Sequence, residues 1–239
     1  MSTLTIGVLG SVMATAIVAL VTFLYRSGKN TAHSKGEAKR LYSRLEPSGV
    51  RQVYLQRSDY VNHSLGGATI ESYVETANSS LLYVGYWLAH GTEIANVVEA
   101  FRKITERGVA VEIVLLSESL PSPLRAELAA MLGLSETELA QRVIAAWQKF
   151  KTLQASLSVP GKARFVLKSH QHPLGASIFI FDKEDATREK LHVDFKIFGL
   201  GRGDSFSMEM SPGAAPNSLY SRYKRAYCSL AVAANQVDP

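Results

Sequence analysis

Residues 81–116 read LLYVGYWLAHGTEIANVVEAFRKITERGVAVEIVLL, and their periodicity decides the fold class. Leu81–Leu88 is a short apolar run, rich in aromatics, with the length of a buried strand. Thr92 is placed to cap a helix, and Ile94, Val97, Val98, Phe101 and Ile104 recur at helical spacing behind it. Gly108 after Arg107 suits a helix C-terminus. Val109–Leu116 is β-branched and predicts a second strand. Strand, helix and strand in this order predict a βαβ unit with its two strands parallel.

Downstream, Pro121 and Pro123 interrupt the chain before a short helix at Leu124–Leu132. Ser135-Glu136-Thr137-Glu138 is a capping box that opens a longer helix. Its apolar stripe is Leu139, Val143, Ile144, Trp147, Phe150 and Leu153, expected in the core. Ala163–Lys168, Ser177–Asp182, Lys190–Phe198 and Ser205–Met210 read as strands, with HQHPLG as the turn between the first two. Leu219–Val232 reads as a terminal helix. The fold class is therefore α/β, a mixed sheet flanked by helices.

Upstream, residues 3–25 form an uncharged run of 23 residues, TLTIGVLGSVMATAIVALVTFLY. A helix of that length rises about 34 Å, enough to cross a hydrocarbon core of roughly 30 Å. The run has no basic flank before it and continues past Ala14-Thr15-Ala16, which argues against a cleaved signal peptide. The chain has 239 residues, a net charge of +5 and a single cysteine, Cys228. One cysteine excludes an intrachain disulfide framework and any multi-cysteine metal site, and no metal or cofactor is expected.

The whole excess charge sits in residues 26–44, which hold six Lys/Arg and one acid. Beyond it, 20 basic and 20 acidic residues cancel, which argues against a nucleic-acid partner. Arg26, Lys29, Lys35, Lys39, Arg40 and Arg44 are the candidate membrane-surface residues. By the positive-inside rule they place the N-terminus outside and the large domain in the cytoplasm, as a single-pass protein of a bacterial-type inner membrane. The expected organisation is an anchor at 1–25, a basic connector at 26–50 with helix near 37–45, and an α/β domain at 51–239. Gly7 and Ser11, Gly10 and Ala14, and Ser11 and Thr15 give small-xxx-small spacing, so a homo-oligomer is expected, with membrane lipid as a further partner.

The stretch 80–116, with Glu106-Arg107-Gly108-Val109, and the later SIFIFD before Lys183-Glu184-Asp185 resemble the phospholipase D superfamily. The resemblance spans about 81–117 and 175–210. It implies a phospholipase D-like fold and a cleft shared between two halves. In that family an H-x-K-x4-D motif supplies an attacking histidine, a protonating histidine from a second copy and a lysine that steadies the phosphate. With Asp182 at the motif aspartate, the histidine position is Gly175 and the lysine position is Ser177. No H-x-K-x4-D occurs anywhere in the chain. The resemblance therefore implies a fold without that phosphodiesterase mechanism, acting as a binding or signalling module for a phosphate-containing small ligand.

Two other readings stay open. A phosphodiesterase or nuclease with a non-standard site would draw on His172, His192 and Asp182, the candidate catalytic residues. His170 and His172 would share a face if extended, and His192 is otherwise a solvent-facing strand residue. A nucleotide-sensing Rossmann-like module would share the βαβ unit. The ligand or phosphate candidates are His90, Gly91 and Thr92 in the loop at a helix start, Ser177, and Arg202 in the glycine-rich 199–204.

Overall fold

All residues of Ser80–Gly85 and of Ala176–Phe181 are buried, so both strands are covered on two faces and need the apolar content they carry. The computed structural model describes residues 43, 45–54, 70–88, 91–195 and 206–236, with backbone alone for 91–95. In chain order the elements are β1 (Val50–Tyr54), α1 (Ile70–Val74), β2 (Ser80–Gly85), α2 (Gly91–Arg107), β3 (Ala110–Leu116), α3 (Ser122–Met131) and α4 (Glu136–Ser156). They continue with α5 (Val159–Lys162), β4 (Phe165–His170), β5 (Ala176–Phe181), β6 (Lys190–Phe195), β7 (Ser207–Met210), α6 (Leu219–Ala233) and β8 (Asn235–Gln236). The uncharged run 3–25, its basic flank and all but the end of the expected helix at 37–45 lie outside the described residues. No helix among the described residues is long and apolar enough to cross a membrane.

The eight strands form one mixed sheet in the order β1-β7-β6-β5-β2-β3-β4-β8. β2, β3 and β4 are parallel, with Ser80 opposite Ala110 and Val111 opposite Phe165. β5 lies antiparallel beside β2, with Leu81 opposite Phe181. β6, β7 and β1 continue antiparallel beyond it. A Rossmann-like sheet would keep parallel neighbours on both sides of its first strand; here β5 breaks that pattern.

The expected βαβ unit is present, and Gly108 ends α2 at φ 109°, a conformation that glycine adopts without strain. β2 stops at Gly85, short of the expected Leu88. α2 opens at Gly91, so Thr92 stands inside its first turn and not at the cap. The capping box of α4 is complete: Ser135 Oγ accepts from Glu138 N, and Glu138 Oε2 accepts from Ser135 N at 3.0 Å. Leu139, Val143, Trp147, Phe150 and Leu153 are buried. Each such side chain contributes about 1.5–3 kcal/mol of burial. Ile144 is 42% exposed, because one residue past Val143 lies about 100° round the helix, outside the stripe.

Two helical layers cover the sheet. Tyr73 of α1 meets Phe181 edge-on at 4.7 Å, and Phe101 of α2 meets Phe150 of α4 at 5.7 Å. On the opposite face, Tyr223 of α6 meets Phe195 at 6.1 Å, and Tyr227 Oη donates to Ala176 O. α6 is also tied by ions, Lys224 Nζ lying 2.5 Å from Glu189 Oε1. Residues 46–48, read from sequence as the end of the connector, form a 3-10 turn that packs against 211–215.

Candidate functional site

The alternation in β6 (KLHVDF) puts Lys190, His192 and Asp194 on one face of the sheet and Leu191 and Val193 on the other. In β7 (SMEM), Ser207 and Glu209 share that first face. Register then builds a polar row across four strands at one end of the sheet. Ser177 stands opposite Asp194, Asp194 opposite Ser207, and Ser207 opposite Tyr54. Next to it, His192 stands opposite Phe179 and Glu209.

The row is enclosed. His192 is 1% exposed, and its Nε2 lies 3.1 Å from Asp194 Oδ1. Tyr73 and Phe179 face its ring at 5.8 and 6.4 Å. Tyr54 Oη and Tyr73 Oη each donate to Glu209 at 3.4 Å. Ser207 Oγ is fully buried and has no hydrogen-bond partner among the described residues. No Lys or Arg stands in the row. Lys190, nearest along β6, turns to Thr76 Oγ1 at 3.0 Å and lies over the rings of Tyr73 and Phe181.

Gly85 joins this row to a second corner. A Cβ there would lie 2.7 Å from Tyr83 Cζ and 2.9 Å from Ser177 Oγ. Its carbonyl accepts from His170 Nε2 at 3.1 Å, while His170 Nδ1 accepts from the His172 amide at 3.2 Å. These partners assign the neutral Nε2–H tautomer. Burial pushes the His170 pKa down to about 4, so the ring is neutral at neutral pH. Tyr86 Oη donates to Leu174 O at 2.8 Å and accepts from Leu174 N. The turn before β5 is thus pinned from both sides.

Asp182 follows β5 at φ 48°, a left-handed conformation that Asp tolerates. Its Oδ1 accepts from the amides of Asn78, Ser79 and Ser80 at 2.9, 2.7 and 3.2 Å. Burial raises its pKa, but these hydrogen bonds outweigh burial and hold the carboxylate below the ordinary range. Asp182 therefore fastens the start of β2 to the end of β5, at the opposite end of the sheet from Ser177.

Among the described residues the candidates do not converge. His172 is exposed beyond the end of β4, and His170 is buried, so the two do not share a face; β4 ends at His170 and the extended backbone stops there. From β4 to β6 the sheet interposes four strand spacings, roughly 19 Å, between His170 and His192, and His172 lies in the connection from β4 to β5. His192 is buried, not facing solvent. Ser177 is 5% exposed beside Asp194. Gly91 and Thr92 lie in the first turn of α2, and His90 and Arg202 lie outside the described residues. Among the described residues, no group of three or more His, Cys, Asp or Glu is placed to hold a metal ion.

Sequence reasoning missed Ser207, Glu209, Tyr54 and Tyr73. The alternation of SFSMEM marked the first two as a pair. Tyr54 was hidden because the register of β1 slips between Val50 and Gln52, which breaks the period of two.

No protein-family model matches the sequence, and no curated protein matches it. Among solved structures the chain is similar to TrmBL2, an archaeal chromatin protein described with a novel mode of DNA binding. The TM-score is 0.45 at 11% identity, covering 91% of this chain and 68% of that one. It is also similar to Nuc from Salmonella typhimurium, a phospholipase D family member, with TM-score 0.42 at 12% identity over 71% of this chain and 89% of that one. NucT from Helicobacter pylori gives TM-score 0.45 at 10% identity, over 78% and 98% of the two chains.

Proposed function

We propose that this chain is a membrane-anchored protein whose cytoplasmic, phospholipase D-like domain works as a binding or signalling module and not as a phosphodiesterase. The observation that carries the reading is the pairing of Ser177 with Asp194 across β5 and β6. Phosphoryl transfer needs positive charge where the phosphorus oxygens gather negative charge. At the position that the resemblance gives to lysine, this chain has a hydroxyl facing a carboxylate. At the histidine position it has Gly175, which offers no nucleophile. His192 is committed to Asp194 beneath α1, and His172 is exposed in the turn between β4 and β5, outside this row. The uncharged run 3–25 and its basic flank support the anchor, and the small-residue spacing within that run supports pairing of anchors into a homo-oligomer.

Purified full-length protein, assayed without metal on bis-p-nitrophenyl phosphate and on single-stranded oligonucleotides, is expected to show no turnover above buffer. Turnover that disappears in His172→Ala or His192→Ala would overturn the non-catalytic reading. Recovery in the soluble fraction after alkaline extraction would overturn the anchor.

A further inference from the structure

α6 divides its residues between two faces. Tyr220, Tyr223, Tyr227 and Ala231 turn toward the sheet, whereas Arg222, Arg225, Ala226, Ser229, Val232 and Ala233 are exposed. Their spacing makes one outward stripe, basic in its first half and small or apolar in its second. Among the described residues, Arg222 and Arg225 have no ion-pair partner. About half of the other described cations have one, as Arg102 has Glu99, Lys103 has Glu75, Lys151 has Glu118 and Lys168 has Glu112. Lys224, between the two arginines, is bound by Glu189 and the Lys183 carbonyl. No Asp or Glu occurs from Met210 to Gln236, so nothing on the helix neutralises the stripe.

The stripe begins where the chain joins the fold. Ser211 N donates to Gly49 O at 2.9 Å, and Ala215 N donates to Pro47 O at 3.4 Å. A Cβ on Gly49 would lie 2.7 Å from Tyr220 Cβ, in the first turn of α6. Arg222 is only two residues further, about 3 Å along the helix axis. Residues 26–44, which carry the six basic residues of the flank, therefore lead to the basic end of α6.

We infer that the outer face of α6, led by Arg222 and Arg225, docks the domain on the anionic surface of the membrane that holds the anchor. This rests on the anchored reading proposed above. Each arginine close to an anionic surface shifts the docked-to-undocked ratio about fivefold, so the pair shifts it about thirtyfold. That is too little to recruit a free domain. It is enough to orient a domain that a 19-residue tether already holds at high effective concentration. Docked this way, the domain turns α1, α2 and α4 toward the cytosol.

The test uses full-length protein carrying Cys228→Ser and Ala226→Cys, labelled at position 226 with a polarity-sensitive dye. It is reconstituted into vesicles of phosphatidylcholine, alone or mixed with phosphatidylserine. The protein is expected to float with both vesicle types, and the dye emission to shift to the blue only with phosphatidylserine. High salt should abolish the shift, and Arg222→Gln/Arg225→Gln should lower the docked-to-undocked ratio it reports about thirtyfold, with an unchanged circular dichroism spectrum. An equal shift on both vesicle types, or no effect of the arginine substitutions, would overturn the docking while flotation keeps the anchor. Failure to float with phosphatidylcholine would overturn the anchor itself. A shift produced by a duplex oligonucleotide on neutral vesicles would assign the face to nucleic acid and overturn the lipid assignment.

Discussion

His192 and Asp194 stand two residues apart on β6 and close on each other within the sheet face, Nε2 to Oδ1 at 3.1 Å, with 1% and 8% of their surfaces exposed. Removing one partner from a buried polar pair costs more than replacing it with a shape that fits. Asp194→Ala is expected to lose about 3 kcal/mol in urea unfolding. The double variant His192→Phe/Asp194→Leu, which leaves neither partner buried without the other, is expected to lose less. The reverse order would show that the pair does not hold this end of the sheet.

His170 predicts an acid-sensitive fold. Its folded-state pKa of about 4 lies below the ordinary histidine value, so the fold favours the neutral ring. The contribution is complete above about pH 6.5 and is lost as pH falls toward 4, to a total of about 3 kcal/mol. Melting curves at pH 7 and pH 4.5 should separate clearly for the native protein. His170→Gln should flatten that difference while lowering the melting temperature at pH 7.

Asp182 acts in a lower window. Its carboxylate is depressed below the usual range, so its contribution is full above about pH 4 and disappears only as pH falls through the folded-state value. Asp182→Ala removes the acceptor of three backbone N–H donors and leaves a left-handed φ without the residue that tolerates it. A loss of about 3 kcal/mol is expected at pH 7 by urea titration.

Gly85 is needed for space. Ala there would press against Tyr83 and Ser177, at an expected cost of about 2 kcal/mol. Truncating Tyr83 as well opens the same volume. The double variant Tyr83→Ala/Gly85→Ala should therefore be more stable than the sum of the single losses implies, which a double-mutant cycle measures directly.

The central elements were legible because their signals are local. The apolar run at 81–85, the Arg107-Gly108 stop and the Ser135 capping box each act within a few residues of chain. The site was less legible, because it is assembled by register. Asp194, Ser177 and Ser207 meet only once β5, β6 and β7 are aligned, and nothing in any one strand specifies that alignment. β1 and α1 escaped for different reasons, the first through its bulge and the second because Ile70–Val74 is too short to show helical periodicity. His170 and His192 stay apart because they lie on β4 and β6, which the sheet order separates.

The strand order also sets a timetable for biosynthesis. Among the described residues β1 is the first strand made, and its only neighbour there is β7, which ends about 150 residues later. At about 5–20 residues per second, β1 waits roughly 8–30 s for a partner on the ribosome. The face that α6 covers stays open longer still, until Leu219–Ala233 emerges. The bulge at Arg51 interrupts the open edge of β1, and an interrupted, charged edge is a poor template for a neighbouring nascent chain. The same irregularity that hid β1 from a period-two reading thus protects it while it waits.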